Sequence, residues 1–418
     1  MPVRDTRCLL RSFCKFVFYS GAGNFYYDET YNESIAYRLY TIASYSVYVT
    51  MILLENIAAI FGNFPEVEKN SAVMFAAIHN IVLAKMFLLQ YHKRSIKKLN
   101  FEIVAIMENI NNERVMKAQY TRVKYGISFY AVSVYLALGA YGIESLRKVI
   151  SEGAPFYTVV TYLPQYDDTS TTADIVRSFF YFTWLYMMLP MMSTDCMPII
   201  HLILLAHKFK TLCLYFEGLR TNLDKQIILV GRNNAEDMLR RSFIEGIIMH
   251  QKLIFLAQEI HRLFGIIMSL QVCESSAVAV LLLLRLALSP HLDFTNAFMT
   301  YSFVGSLFFL LALNLWNAGE LTYQASLLSN AMFYCGWHLH DARKDTNNDI
   351  RKLVLIGCAQ AQKPLILKAF GVQDLSYATF VSLRMPTDYK RKTDRGMAGR
   401  EIYDLAAEEV TLRQKNSP

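Results

Sequence analysis

Six stretches of this chain are each long and apolar enough to cross a bilayer, and nothing else in the sequence limits the fold as strongly. A helix crosses the hydrocarbon core, ~30 Å thick, with about 20 mostly apolar residues. The stretches are Leu39–Phe61, Ala72–Tyr91, Tyr125–Gly142, Ile175–Ala206, Leu263–Leu288 and Phe294–Asn317. In lipid every backbone N–H and C=O must be paired within the protein, so these segments form helices packed on one another. Of the 418 residues 54% are hydrophobic and 18% charged, against about 25% charged in a soluble domain. The chain therefore reads as an all-α, polytopic membrane bundle with no linker dividing it.

The connections fix the orientation. Residues 92–124 carry eight Lys/Arg against three Glu, residues 207–262 carry nine Lys/Arg, and Arg343, Lys344, Arg351, Lys352, Lys363 and Lys368 follow the sixth span. The first, third and fifth connections are acidic or lack this excess. Lys/Arg excess marks cytosolic loops, so the even-numbered connections and the N-terminus, with Arg4, Arg7, Arg11 and Lys15, face the cytosol. A G-protein-coupled receptor has the opposite orientation, and neither Asp-Arg-Tyr after the third span nor Asn-Pro-x-x-Tyr occurs here. Residues 208–262 keep apolar residues at helical spacing between charges, so the fourth and fifth helices are expected to continue beyond the membrane. Residues 350–370 are amphipathic and cross nothing.

The net charge of +7 sits in blocks between apolar spans, which suits an anionic leaflet and excludes a nucleic-acid groove as the main reading. None of the seven cysteines has CxxC spacing or falls in an outer loop, so neither a zinc site nor a disulfide is expected. His201 and His207 with Cys196 or Cys213 match no compact ligand set, which makes them packing residues and leaves no metal or cofactor to expect. No nucleophile elbow, P-loop or dinucleotide turn is present, so the chain reads as a non-enzyme.

Charges inside spans are costly and mark function or structure. Lys85, near the inner end of the second span, is expected to snorkel to the interface. Asp195 in the fourth span must face protein or a water-filled cavity, and Glu274 and Arg285 in the fifth lie about three turns apart and can pair only with other helices.

The C-terminal third carries specific motifs. Ala331-Met332-Phe333-Tyr334-Cys335-Gly336-Trp337 is followed by the helical stretch 349–356, then Ala361-Gln362-Lys363-Pro364-Leu365, then Leu375-Ser376-Tyr377-Ala378-Thr379-Phe380. This series resembles the closing region of insect odorant receptors, and the inverted topology and long fourth helix agree. The Thr-Tyr and Gln-Phe pattern typical of gustatory receptors is not found. The resemblance implies a seven-helix receptor: a ligand-binding subunit of an odorant-gated cation channel, completed as a tetramer by the odorant receptor co-receptor, in the plasma membrane of olfactory sensory neurons. It also implies a cytosolic subunit anchor, here Trp337, Gln362, Lys363 and Pro364, and a pore helix opening at Ser376, Thr379 and Phe380.

Five regions follow. Residues 1–38 form a cytosolic N-terminus, 39–318 a six-helix bundle, 319–374 an anchor region, 375–383 the start of the seventh helix, and 384–418 a charged tail. The tail departs from the family pattern. With eight Lys/Arg and six Asp/Glu it cannot cross a bilayer cheaply, since a central charge costs roughly 2.5–3.5 kcal/mol. The seventh helix therefore reads as truncated, and a non-conducting form is the alternative.

A volatile odorant offers little besides apolar surface, so its pocket should be apolar and aromatic. The resemblance places it in the outer halves of the helices. The candidates there are Met74, Ile78, Tyr141, Phe179, Phe182, Thr183, Tyr186, Phe298 and Tyr301, against the plainer reading of helix–helix packing.

Overall fold

The computed structural model describes residues 5–27, 33–110, 112–158, 161–288, 294–337, 346–377 and 379. Among them lie nine α-helices and one short hairpin. The helices are α1 (Thr6–Tyr19), α2 (Ile35–Phe61), α3 (Glu66–Tyr91), α4 (Lys93–Ala105), α5 (Glu113–Glu152), α6 (Thr171–Val230), α7 (Arg232–Leu288), α8 (Phe294–Phe333) and α9 (Thr346–Ala361). Strands β1 (Lys368–Ala369) and β2 (Gln373–Asp374) pair antiparallel. The six membrane-length helices α2, α3, α5, α6, α7 and α8 correspond one to one with the six apolar stretches.

The helices outrun those stretches because hydropathy registers only the part in lipid. At 1.5 Å per residue the 60-residue α6 is about 90 Å long, far beyond what the bilayer requires. As expected, its continuation and that of α7 form a long pair beyond the membrane, joined at Gly231, whose φ of +80° suits glycine. Local chemistry sets the starts. Ser34 Oγ accepts from Tyr37 N, Asn112 Oδ1 from Arg114 N and Val115 N, and Ser170 Oγ from Ala173 N.

Helix α6 is the axis. Its most apolar window is 94% buried, against 28% for α5, and it packs most extensively on α7 and α8. Pro190 and Pro198 lie inside it, each removing a backbone donor. The hydroxyls of Ser193 and Thr194 both donate to Pro190 O at 2.8 Å.

Two helices outside the spans, α1 and α4, were not expected. Helix α1 buries Leu10, Phe13, Cys14 and Val17 and packs on α4 and α6. Its apolar residues recur at helical spacing, so the signal was present in a stretch read only for its charge. Residues 350–370 divide. Helix α9 ends at Ala361, before Pro364, and the chain then turns through the hairpin, where Phe370 N donates to Ser269 Oγ of α7 at 2.7 Å.

Candidate ligand-binding site

A small internal cavity of about 30 Å³ lies where α3, α5, α6 and α8 meet. Ile78 and His79 come from α3, Tyr130, Val134, Ala137 and Leu138 from α5, Trp184, Met188 and Met191 from α6, and Phe303, Ser306 and Leu307 from α8. The wall is apolar and aromatic, with polar atoms only at His79, Tyr130, Trp184 and Ser306. Its volume is that of roughly one water, so any larger molecule enters only if side chains move. Methionines repack with little cost, and Met188 and Met191 form one side of the cavity. Phe75 extends the aromatic cluster outside the lining, edge-on to Trp184 at 5.5 Å and to Phe303 at 5.6 Å.

The polar wall groups are committed inward. Trp184 Nε1 donates to His79 Nε2 at 3.2 Å. That makes Nε2 an acceptor, so Nδ1 carries the proton and donates to Glu55 Oε2 of α2 at 2.6 Å. Tyr130 OH donates to Asp195 Oδ2 at 3.0 Å.

Asp195 belongs to a buried ionic cluster two turns deeper. Lys85 Nζ of α3 lies 3.1 Å from Asp195 Oδ1 and 2.5 Å from Glu274 Oε2 of α7, and it also donates to Gln271 Oε1. The lysine side chain is 0% exposed and both carboxylates 1% or less. Lys85 therefore does not snorkel: two facing carboxylates offer its ammonium a closer counter-charge than the interface does. Glu274 pairs across helices as its position required. Four helices, α3, α5, α6 and α7, meet through these contacts.

The nine candidate residues separate by helix face. Ile78 lines the cavity, and Met74, one turn outward on α3, is buried. Tyr141 is half-buried, with its ring 6.3 Å from that of Phe75. The others turn away from the cavity. Phe179 is 64%, Phe182 67%, Phe298 48% and Tyr301 62% exposed, while Thr183 Oγ1 donates to Phe179 O on the same outer side. Tyr186 is also exposed, its hydroxyl 2.5 Å from that of Tyr40 on α2.

The residues that build the cavity, His79, Tyr130, Trp184, Met188, Met191 and Phe303, were not singled out in the sequence, although an available signal marks their face. Asp195 must face protein, and Met191, Met188 and Trp184 lie four, seven and eleven residues before it on the same side of α6.

At the end of α8, Trp337 Nε1 donates to Phe333 O at 2.8 Å. Gln362, Lys363 and Pro364 are exposed immediately after α9. Leu365 O accepts from Thr322 Oγ1 of α8 at 2.8 Å, tying this run to the bundle. Ser376 Oγ accepts from Thr379 N at 3.3 Å, a helix-start contact. Tyr377 follows it, packing against Gly319, where a Cβ would come within 3.0 Å of the ring, and donating to Glu320 Oε2 at 2.8 Å. Phe380 and the tail 384–418 lie outside the described residues.

Six membrane-length helices with α6 at their centre, and a small internal apolar cavity, define a multi-pass helical membrane protein. The chain belongs to the odorant receptor family: the family model described as 7tm Odorant receptor matches residues 63–384. Its fold is similar to that of the insect olfactory receptor OR5 from Machilis hrabei. The structure of that receptor in complex with eugenol aligns with a TM-score of 0.73 at 13% identity, covering 91% of this chain and 96% of that one. A second structure of the same receptor aligns with a TM-score of 0.72 at 13% identity and the same coverage. No curated protein matches this chain in sequence.

Proposed function

We propose that this odorant receptor is the ligand-binding subunit of a heteromeric odorant-gated cation channel, assembled with the odorant receptor co-receptor in the plasma membrane of olfactory sensory neurons. The observation that carries the reading is the cavity between α3, α5, α6 and α8, whose wall is apolar and adaptable. The ligand is a volatile, mostly apolar molecule of the size class of eugenol, the compound bound in the Machilis hrabei complex. His79 and Trp184 satisfy each other, and Ser306 donates its hydroxyl hydrogen to Phe303 O at 2.7 Å, which leaves the oxygen lone pairs of Tyr130 and Ser306 as acceptors for one ligand hydroxyl.

Gating follows from differential binding. A ligand that fits an expanded cavity better than the collapsed one shifts the population toward the expanded state in proportion to that preference. Tyr130 and His79 connect the cavity wall to the ionic cluster and to α2, so expansion acts on contacts shared by several helices.

A second reading rests on the tail 384–418. Its charges favour a cytosolic location, in which case this chain does not line its part of the pore and acts as a non-conducting subunit. Co-expression with the co-receptor and recording of current against an odorant panel tests both. Odorant-evoked current from the 418-residue chain supports the channel subunit. Normal surface assembly with no current to any odorant supports the second.

A further inference from the structure

We propose that the cleft between the cytosolic ends of α5, α6 and α8 binds an anionic phospholipid of the inner leaflet. The cleft has a volume of about 760 Å³ and is distinct from the ligand cavity, with which it shares no lining residue.

Its chemistry changes with depth. The inner part is walled by Ile199 and Ile203 of α6, Val123 and Ile127 of α5, and Leu313 of α8, all within or beside the apolar spans. The mouth holds Arg114, Lys117 and Arg122, which precede the span of α5 on the cytosolic side. Residues 114, 117, 118, 121, 122 and 125 follow helical spacing and form one face of α5, with Arg114, Lys117, Ala118 and Thr121 exposed. Three cations at headgroup depth above an apolar slot at acyl depth match a phospholipid, and the cations select an anionic one.

Arg122 adds a positioned donor. Its Nη1 lies 3.3 Å from Glu320 Oε2, beside the Tyr377 hydroxyl that donates to the same oxygen, while its Nη2 is buried with no hydrogen-bond partner among the described residues. The guanidinium is held by α8 on one side, and a phosphate that draws its Nη2 toward the mouth would give that unpartnered donor an acceptor. Soluble proteins fit less well, because half of the cleft lies within the bilayer.

The test uses the full chain purified in nanodiscs of phosphatidylcholine alone or with phosphatidylserine added, then released for native mass spectrometry. Phosphatidylserine should be retained preferentially over phosphatidylcholine. The exposed double variant R114Q/K117Q should lower that retention about thirtyfold, given the attraction each Lys/Arg contributes at an anionic surface. The double variant K225Q/K252Q removes exposed cytosolic charge elsewhere and should leave retention unchanged. Ala118→Trp fills the cleft without altering charge and should also abolish retention. Equal retention of the two lipids overturns the proposal. So does loss in K225Q/K252Q equal to that in R114Q/K117Q, or full retention in Ala118→Trp. A photo-crosslink from position 117 to residues 384–418, with no effect of added lipid, overturns it in favour of the chain's own tail.

Discussion

The indole N–H of Trp184 on α6 donates to His79 Nε2 on α3 at 3.2 Å, and both rings lie in the cavity wall. The bond crosses the two helices that an odorant has to wedge apart. Trp184→Phe keeps an aromatic ring but removes the donor, at a cost of about 0.5–1.5 kcal/mol for a net hydrogen bond. The odorant concentration for half-maximal current should change by up to about tenfold. Outward substitutions at comparable surface level should not produce this change. A dose–response curve for W184F identical to that of the parent would separate this bond from ligand recognition.

Lys85 is completely enclosed by Asp195, Glu274 and Gln271. Breaking a buried pair from one side leaves an uncompensated charge and costs roughly 3–5 kcal/mol. Lys85→Met leaves two carboxylates facing each other and should strongly reduce the surface fraction and the melting temperature in detergent. Glu274→Gln leaves the Lys85–Asp195 contact in place and should do less harm. If both variants reach the surface equally, the cluster does not hold the bundle together.

One guanidinium makes several of the contacts that hold the loop before α6. Arg177 donates to the carbonyls of Gln165, Tyr166 and Asp168 at 2.9, 3.3 and 2.8 Å, and its Nη1 lies 3.0 Å from Asp174 Oδ1. Its guanidinium also stacks over Tyr157 at 4.6 Å. Lysine cannot reproduce this fork of donors. In Arg177→Lys, external protease should cut the loop between residues 154 and 170 on intact cells faster than in the parent. Unchanged cleavage kinetics would assign the loop's order to other contacts.

The basic connections and basic N-terminus predict a cytosolic α1. An epitope placed at the N-terminus should stain only after permeabilisation, and one placed in the loop between α5 and α6 should stain on intact cells. The reverse pattern would point to a G-protein-coupled arrangement.

How far the sequence could be read depended on what distinguishes one environment from another. The six spans were legible because bilayer thickness imposes a length on every crossing helix. Which face of a span looks inward was not, because lipid-facing side chains are as apolar as core ones. Phe179, Phe182, Phe298 and Tyr301 form convincing aromatic stripes, yet they look outward. The intramembrane charges carry the missing phase. Asp195 shares its face with Met188 and Trp184, and Lys85 with Ile78. The partner of Lys85 could not be read, since a pairing across 110 residues depends on the tertiary fold. Helices α1 and α4 were missed for a simpler reason: their charge drew attention before their periodicity did.

The two faces of α6 lead to a final contrast. Phe182 is 67% exposed on the outer face, whereas Met188, six residues on, lines the cavity. Phe182→Ala exchanges one lipid-facing apolar group for another, so current responses should stay within about twofold of the parent, a change smaller than loss of one hydrogen bond. Met188→Ala removes a flexible filler from the wall and enlarges the cavity, with a stability cost of about 2–5 kcal/mol where the site does not collapse. Across a homologous odorant series of increasing chain length, the optimum for M188A should move to longer members, while that for F182A should not move. Phe179→Ala and Tyr301→Ala should follow F182A. If the outward variants abolish responses while M188A leaves the optimum in place, the odorant sits on the lipid-facing surface, and the cavity between α3, α5, α6 and α8 is only a packing defect.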